Sequence, residues 1–131
     1  MPSAPAYPPP RNLLAGKTAV ITAAAGAGIG FSVALRAAEE GAALLISDIH
    51  ERRLSEAADK IEKAVGKRPA TQLCNVTQET DVQALKAAAQ TAFGGAPDIL
   101  INNAGLGGSA SIVEMTDTQW AQVIDVSLTS V

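Results

Sequence analysis

"ITAAAGAGIG", residues 21–30, decides the fold. It follows "TAVIT" (18–22), a short apolar run with enough β-branched residues to read as a strand. After the glycines comes a helical stretch that Gly41 can end in the left-handed conformation. A strand, a glycine loop and a helix in that order begin a dinucleotide site. The usual G-x-G-x-x-G register nevertheless fails, because counting from Gly26 and Gly28 puts Phe31 where the last glycine belongs.

The same alternation continues outward. "ALLIS" (43–47) is a second strand, closed by Asp48. Leu54, Ala58, Ile61 and Val65 then recur at spacings of four, three and four, one face of a helix that Gly66 can stop. "ATQLC" (70–74) leads to a third helix with Val82, Leu85, Ala89 and Ala92 on one face, ended by Gly94 and Gly95. "DILIN" (98–102) is a fourth strand. Thr116 and Gln119 have capping-box spacing ahead of a helix carrying Trp120, Val123, Ile124 and Leu128. Strands alternating with helices argue for βαβ units. The expected fold class is α/β: the N-terminal part of a doubly wound Rossmann fold, a parallel sheet with helices on both faces.

Composition closes off several classes. Of 131 residues, 47% are hydrophobic and 18% charged, a mixture that folds rather than staying disordered. Aromatics are only 3%, so the core falls to Ala, Val, Ile and Leu. A net charge of −3, with no block of Lys and Arg, argues against nucleic acid or an anionic membrane as partner. Cys74 and His50 are single, which leaves no disulfide framework and no metal site built from paired Cys or His. No apolar run approaches the ~18 residues of a membrane span. "MPSAPAYPPPRN" lacks the basic start and apolar core of a secretory signal, so the cytoplasm is the default compartment. That segment, 1–12, holds five prolines and reads as a disordered or polyproline tail before one domain over 13–131. "VIDVSLTSV" has no helix stop signal, and strand four would be a half-covered edge; the chain reads as the front portion of a longer protein.

Right-handed crossovers bring the carboxyl ends of the strands to one edge, where open parallel sheets bind ligands. At that edge stand the glycine loop after Thr22, then Asp48, Asn75 and the "NNAG" of 102–105. Strand-to-helix loops need polar caps and glycines whatever the function. Four such features at one edge carry a functional reading that none carries alone.

"GKTAVIT", "AGAGIG", "SD" after strand two, "NV" after strand three and "NNAG" together resemble the short-chain dehydrogenases/reductases, over about residues 13–131. The family loop reads T-G-x-x-x-G-x-G. Matched from the strand, Thr22 is its threonine and Ala23 stands for its first glycine; matched from the helix, Gly28 and Gly30 are its last two. Four residues then separate Ala23 from Gly28, one more than usual, unless Ala24 is the first-glycine equivalent. The resemblance implies an NAD(P)-dependent oxidoreductase that moves hydride between nicotinamide and an alcohol or ketone. It implies a loop of Thr22, Ala23, Gly28, Ile29 and Gly30 around the pyrophosphate, Asp48 on the adenosine ribose, and Asn75-Val76 at the adenine. Asn103, Ala104 and Gly105 would line the cofactor and steady the sheet. A carboxylate at Asp48 repels a 2′-phosphate, so NAD is expected over NADP. Asp48 also has a bland reading, as N-cap of the "HERRL" helix, whose Arg52 and Arg53 belong to a solvated face.

No catalytic residue and no metal ligand is assigned. The family's acid/base tyrosine with a lysine four residues on has no counterpart, since the single tyrosine is Tyr7 in the proline segment. Ser127 occupies the position where the resemblance predicts an assisting asparagine. The chain thus reads as the cofactor-binding part of an enzyme whose complete form would act on a small-molecule alcohol or ketone as a homo-oligomer. "TAAAGxGIG", "SDxHERRL", "NNAGLGG" and "DVSLTSV" also resemble a bacterial subgroup of steroid ring degradation, acting on bicyclic CoA thioesters. The competing readings are a non-catalytic nucleotide-binding or assembly module and an S-adenosylmethionine methyltransferase; "NNAG" argues against the latter.

Overall fold

The computed structural model of the chain describes residues 3–108 and 110–131. Strands β1 (Thr18–Ile21), β2 (Ala43–Asp48), β3 (Ala70–Leu73) and β4 (Ile99–Ile101) alternate with helices α1 (Ile29–Glu39), α2 (Glu51–Val65) and α3 (Glu79–Phe93). Helix α4 (Asp117–Ile124) follows. All strand pairs are parallel, in the order β3-β2-β1-β4. The chain therefore steps from β1 to β2 to β3 in one direction, then crosses back to lay β4 on the far side of β1. Because crossovers keep one hand, this reversal sends α3 to the face opposite α1 and α2. The topological switch point falls between the carboxyl ends of β1 and β4, the place where doubly wound sheets take their ligands.

Strand alternation divides the core accordingly. Ala19, Ile21, Leu44 and Ile46 pack with Ala34 of α1 and Leu54, Ala58 and Ile61 of α2. Val20 and Leu45 point the other way, onto Cys74 and onto Leu85 and Ala89 of α3. Covering β1 and β2 on both faces is what their near-continuous apolar runs require. Gly66 and Gly94 end α2 and α3 at φ values of 76° and 72°, each returning its N–H to the helix. Gly41, at φ 92°, follows the end of α1. These are turns that a side chain would strain.

Two helix faces differ from the sequence expectation. On α3, Ala92 is exposed and Phe93 packs against the core instead. The helical period carries the stripe from Ala89 to midway between these two, and the larger side chain takes the place. On α4, the capping box forms as expected, with Gln119 N–H on Thr116 Oγ at 3.2 Å and Thr116 N–H on Gln119 Oε1 at 2.9 Å. Yet α4 buries no residue, and Trp120 is 54% exposed. A π-helical turn, Asp125–Thr129, continues it. Edge strand β4 likewise leaves Leu100 more than half exposed.

Residues 3–12 carry no helix or strand but are tied down. The Arg36 guanidinium donates to the carbonyls of Pro8 (2.7 Å) and Pro9 (3.3 Å) and stacks 5.3 Å from the Tyr7 ring centroid. Tyr7 donates its hydroxyl to Glu39 at 2.6 Å. Glu40, almost wholly buried, accepts N–H bonds from Leu13 and Arg11 and pairs with Arg36. Those two N–H donors, with Arg36 adding to them, hold its carboxyl below the usual carboxylate range. The proline-rich segment is thus an exposed strap laid on the end of α1.

Candidate functional site

The loop after β1 is shaped by a contact with β4. Thr22 is buried, and its Oγ accepts the N–H groups of Asn103 (2.9 Å) and Ala104 (3.0 Å). The Asn103 amide donates back to the carbonyls of Thr22 and Ala23, both at 3.1 Å. Held this way, Ala23 sits at φ 50° in the left-handed region. Among the described residues the only other non-glycine at positive φ is Asn12. Ala23 is therefore the first-glycine equivalent, and Ala24 is not: it is buried at ordinary φ with its N–H on the Ser47 carbonyl at 3.0 Å. The added residue lies within 24–27, where Gly26 at φ 89° supplies the extra turn. Alanine in the left-handed region costs on the order of 1–2 kcal/mol. Ala23→Gly should thus stabilise the chain by about 1 kcal/mol after the glycine's own chain entropy, measured by urea unfolding. A destabilised variant would show that Ala23 carries no strain.

Gly30 explains why the helix sits so close. A Cβ there would lie 2.4 Å from the Ala23 carbonyl oxygen and 2.4 Å from Asn103 Nδ2. Gly28, the N-cap of α1, is the opposite case, with nothing within 4 Å of a Cβ position. No side chain caps α1. Its first N–H groups have no carbonyl earlier in the helix to bond, and the helix starts between Gly28, open at its Cβ position, and the exposed Ile29. An uncapped helix start bordered by glycine is a ready anion site, with about half a positive charge from the helix dipole.

Asp48 closes β2 and faces this loop. Its Oδ2 accepts the Ala25 N–H at 3.2 Å and its Oδ1 the His50 N–H at 3.1 Å. The N-cap of α2 is His50, so Asp48 serves the glycine loop rather than capping that helix. At the end of β3, Asn75 Oδ1 accepts the Thr77 N–H (3.1 Å) and hydroxyl (2.8 Å). Cys74 beside it is buried, and burial pushes its thiol pKa up, as suits a core residue. A groove of about 840 Å³ runs along these strand ends, lined by Ala23, Ala25, Asp48, Asn75, Val76, Ala104 and Gly105 among others. Thr22 and Asn103 do not line it; they are bonded to each other behind Ala23 and Ala104, and Thr22 borders a separate hollow of about 550 Å³. Gly28 and Ile29 border a second hollow of about 720 Å³ along α1.

Three contributions escaped sequence reasoning. Ala25 acts through its backbone N–H, which residue type does not signal, and Thr77 through its N–H and hydroxyl together. Arg53 borders the groove, whereas Arg52 pairs with Glu56 on the solvated face at 3.1 Å. Spacing along α2 holds the signal, since Arg53 is one residue from the buried Leu54. Ser127 docks the π-helical turn on the loop after β4, accepting the Leu106 N–H (3.1 Å) and donating to its carbonyl (3.3 Å). Among the described residues no three His, Cys, Asp or Glu gather as a metal site, and no helix is long and apolar enough to cross a membrane.

A parallel sheet with a glycine loop at its switch point and an acid closing the second strand defines a Rossmann-type nucleotide-binding fold. A sequence model of the short chain dehydrogenase family matches residues 17–131, and the chain belongs to that family of oxidoreductases, which bind NAD(P). It is 50% identical over 120 residues to the (5R,7aS)-5-hydroxy-7a-methyl-1-oxo-2,3,5,6,7,7a-hexahydro-1H-indene-carboxyl-CoA reductase of Mycobacterium tuberculosis, covering 92% of this chain and 45% of the relative. A short chain dehydrogenase crystal structure from Mycobacterium smegmatis superposes with a TM-score of 0.91 at 45% identity, covering 98% of this chain and 53% of that one. L-sorbose reductase from Gluconobacter frateurii, solved with NADPH and L-sorbose, gives a TM-score of 0.82 at 34% identity over 91% of this chain and 44% of its own. The chain spans about half the length of these relatives.

Proposed function

We propose that residues 13–131 form the NAD-binding part of a short-chain dehydrogenase that interconverts an alcohol and a ketone. The observation that carries the cofactor reading is the glycine loop itself, whose Ala23 and Ala25 line one groove with Asp48 and Val76 and which leads into an uncapped α1 start open beside Gly28. The N–H groups at residues 28–30 suit the pyrophosphate, and Ala23 shapes the turn around it. Asp48 suits the ribose hydroxyls while keeping the loop in place through Ala25. Asn75 and Val76 flank the adenine end, and Ala104 and Gly105 the nicotinamide end. When bound, nicotinamide gives or takes the hydride. This chain's residues bind and orient it, and Tyr7, held on Glu39 by the strap, is not an acid/base group for it. The mycobacterial relative makes a hydroxylated or keto bicyclic CoA thioester the proposed substrate class of the complete protein; homo-oligomeric assembly and a cytoplasmic location are proposed from the sequence resemblance alone.

Asp48 and Arg53 pull the cofactor choice in opposite directions, since both border the groove. The carboxylate is fixed by two N–H bonds, whereas Arg53 is exposed, so the carboxylate governs. Calorimetric titration is expected to show NAD bound at least ~10-fold more tightly than NADP, with Asp48→Ala erasing most of that gap. Equal affinities, or a gap indifferent to Asp48→Ala, would sink the NAD assignment.

A further inference from the structure

Arg36, Glu39 and Glu40 share one face at the carboxyl end of α1, and the bonds that hold the proline-rich segment run to that face. The Arg36 guanidinium spans two consecutive carbonyls, of Pro8 and Pro9, and lies over the Tyr7 ring. Glu39 takes the Tyr7 hydroxyl, and Glu40 takes the N–H groups of Arg11 (2.9 Å) and Leu13 (3.0 Å). The cluster thus reads one aromatic ring and then bare backbone; none of these bonds uses a side chain of residues 8–13. The prolines contribute shape, since their fixed φ keeps the carbonyls on an extended path before they are bound.

The helix has no use of its own for these acids. Its carboxyl end is the negative end of the dipole, where carboxylates are disfavoured. Arg36 ahead of Glu40 is also the weaker order for a helical ion pair. Glu40 is nearly buried, a costly place for a charge without bonded partners, and two N–H partners come from the segment. The cluster is complete only with a peptide on it. The segment, for its part, buries none of its side chains: residues 3–13 are all exposed, Tyr7 at 66%. Its hold is the polar cluster, so it can leave and return without opening either face of the sheet.

We propose that the carboxyl end of α1 is a binding site for an extended proline-rich peptide led by an aromatic residue, and that the chain's own residues 7–13 occupy it reversibly. A peptide of the same class supplied in trans competes with them.

The test titrates a dye-labelled peptide of residues 3–13 into the full chain and into its Tyr7→Ala variant, read by fluorescence anisotropy. In the unaltered chain the attached segment competes, and the apparent affinity falls by the fraction of sites left open. Tyr7→Ala takes the ring off Arg36 and the hydroxyl off Glu39. The labelled peptide keeps its own tyrosine and should bind this variant at least ~10-fold more tightly than the unaltered chain. Adding Arg36→Lys keeps a cation beside Glu40 but cannot span two carbonyls, and should weaken that binding about 10-fold. Circular dichroism restricts the comparison to folded chains. If the lysine chain unfolds, Glu39→Gln takes its place, a weaker acceptor for the tyrosine hydroxyl that should weaken binding in the same direction. A peptide that binds neither chain, binds both equally, or is indifferent to the change at Arg36 or its replacement at Glu39 overturns the proposal. None of these readouts uses a dinucleotide, so their failure leaves the cofactor reading untouched.

Discussion

Gly30→Ala is expected to cost about 3 kcal/mol of folding stability and to abolish dinucleotide binding. The added methyl would sit 2.4 Å from a backbone carbonyl oxygen and from the amide that holds that carbonyl in place. Neither neighbour can swing away as the end of a flexible side chain does. Either α1 lifts off the sheet or Asn103 releases Ala23, and each outcome dismantles the loop. Gly28→Ala is the control. Its φ of −86° suits alanine and no atom lies within 4 Å, so stability should change by less than about 1 kcal/mol. Dinucleotide affinity should nevertheless fall at least ~10-fold if the proposed site is right, because the methyl would enter the space proposed for the pyrophosphate. Urea unfolding and NAD titration of both variants separate the two roles. Equal stability losses would remove the distinction drawn between a packing glycine and a binding glycine.

Thr22→Val is the second large effect. Valine matches the shape of threonine and leaves the N–H groups of Asn103 and Ala104 facing a methyl group. Ala104 N–H loses its partner, whereas Asn103 N–H keeps the Ile101 carbonyl at 3.0 Å; a donor stranded in this way costs about 1–3 kcal/mol, so a loss of about 2 kcal/mol is expected. Thr22→Ser keeps the hydroxyl and should lose only about 1 kcal/mol, the worth of one buried methyl group. Hydrogen exchange reads the mechanism directly: the amides of residues 103 and 104 should speed up in the valine variant and not in the serine variant. Valine tolerated as well as serine would mean that the hydroxyl is not what joins β1 to β4.

The fold was legible because its signals are local. β-branched apolar runs, glycine stops and the Thr116–Gln119 box each act within a few residues, and the strands and helices follow them. The parallel order followed from alternation together with the fixed hand of crossovers. Less of the site could be read. Residue types pointed to Asp48, Asn75 and "NNAG", yet spacing could not choose between Ala23 and Ala24 as the left-handed position. That choice is made by the Asn103 amide, which grips the Ala23 carbonyl from across the sheet. The strap was illegible for a similar reason, since a proline-rich composition does not announce that Arg36 and Glu40 will hold it. On α4 a sound periodicity placed Trp120, Val123, Ile124 and Leu128 together, yet among the described residues none of the helix is buried.

Thr22 and Asn103 are 81 residues apart in sequence. Seen along the folding path, the glycine loop cannot take its shape when β1, α1 and β2 first come together, however complete those elements are. It must wait for β4 to dock, a loop closure whose entropy cost grows with the chain enclosed. A chain emerging from the ribosome would carry a recognisable glycine motif without a cradle to match it until residues 103 and 104 have emerged. Docking of β4 therefore acts as a checkpoint on the shape of the glycine loop.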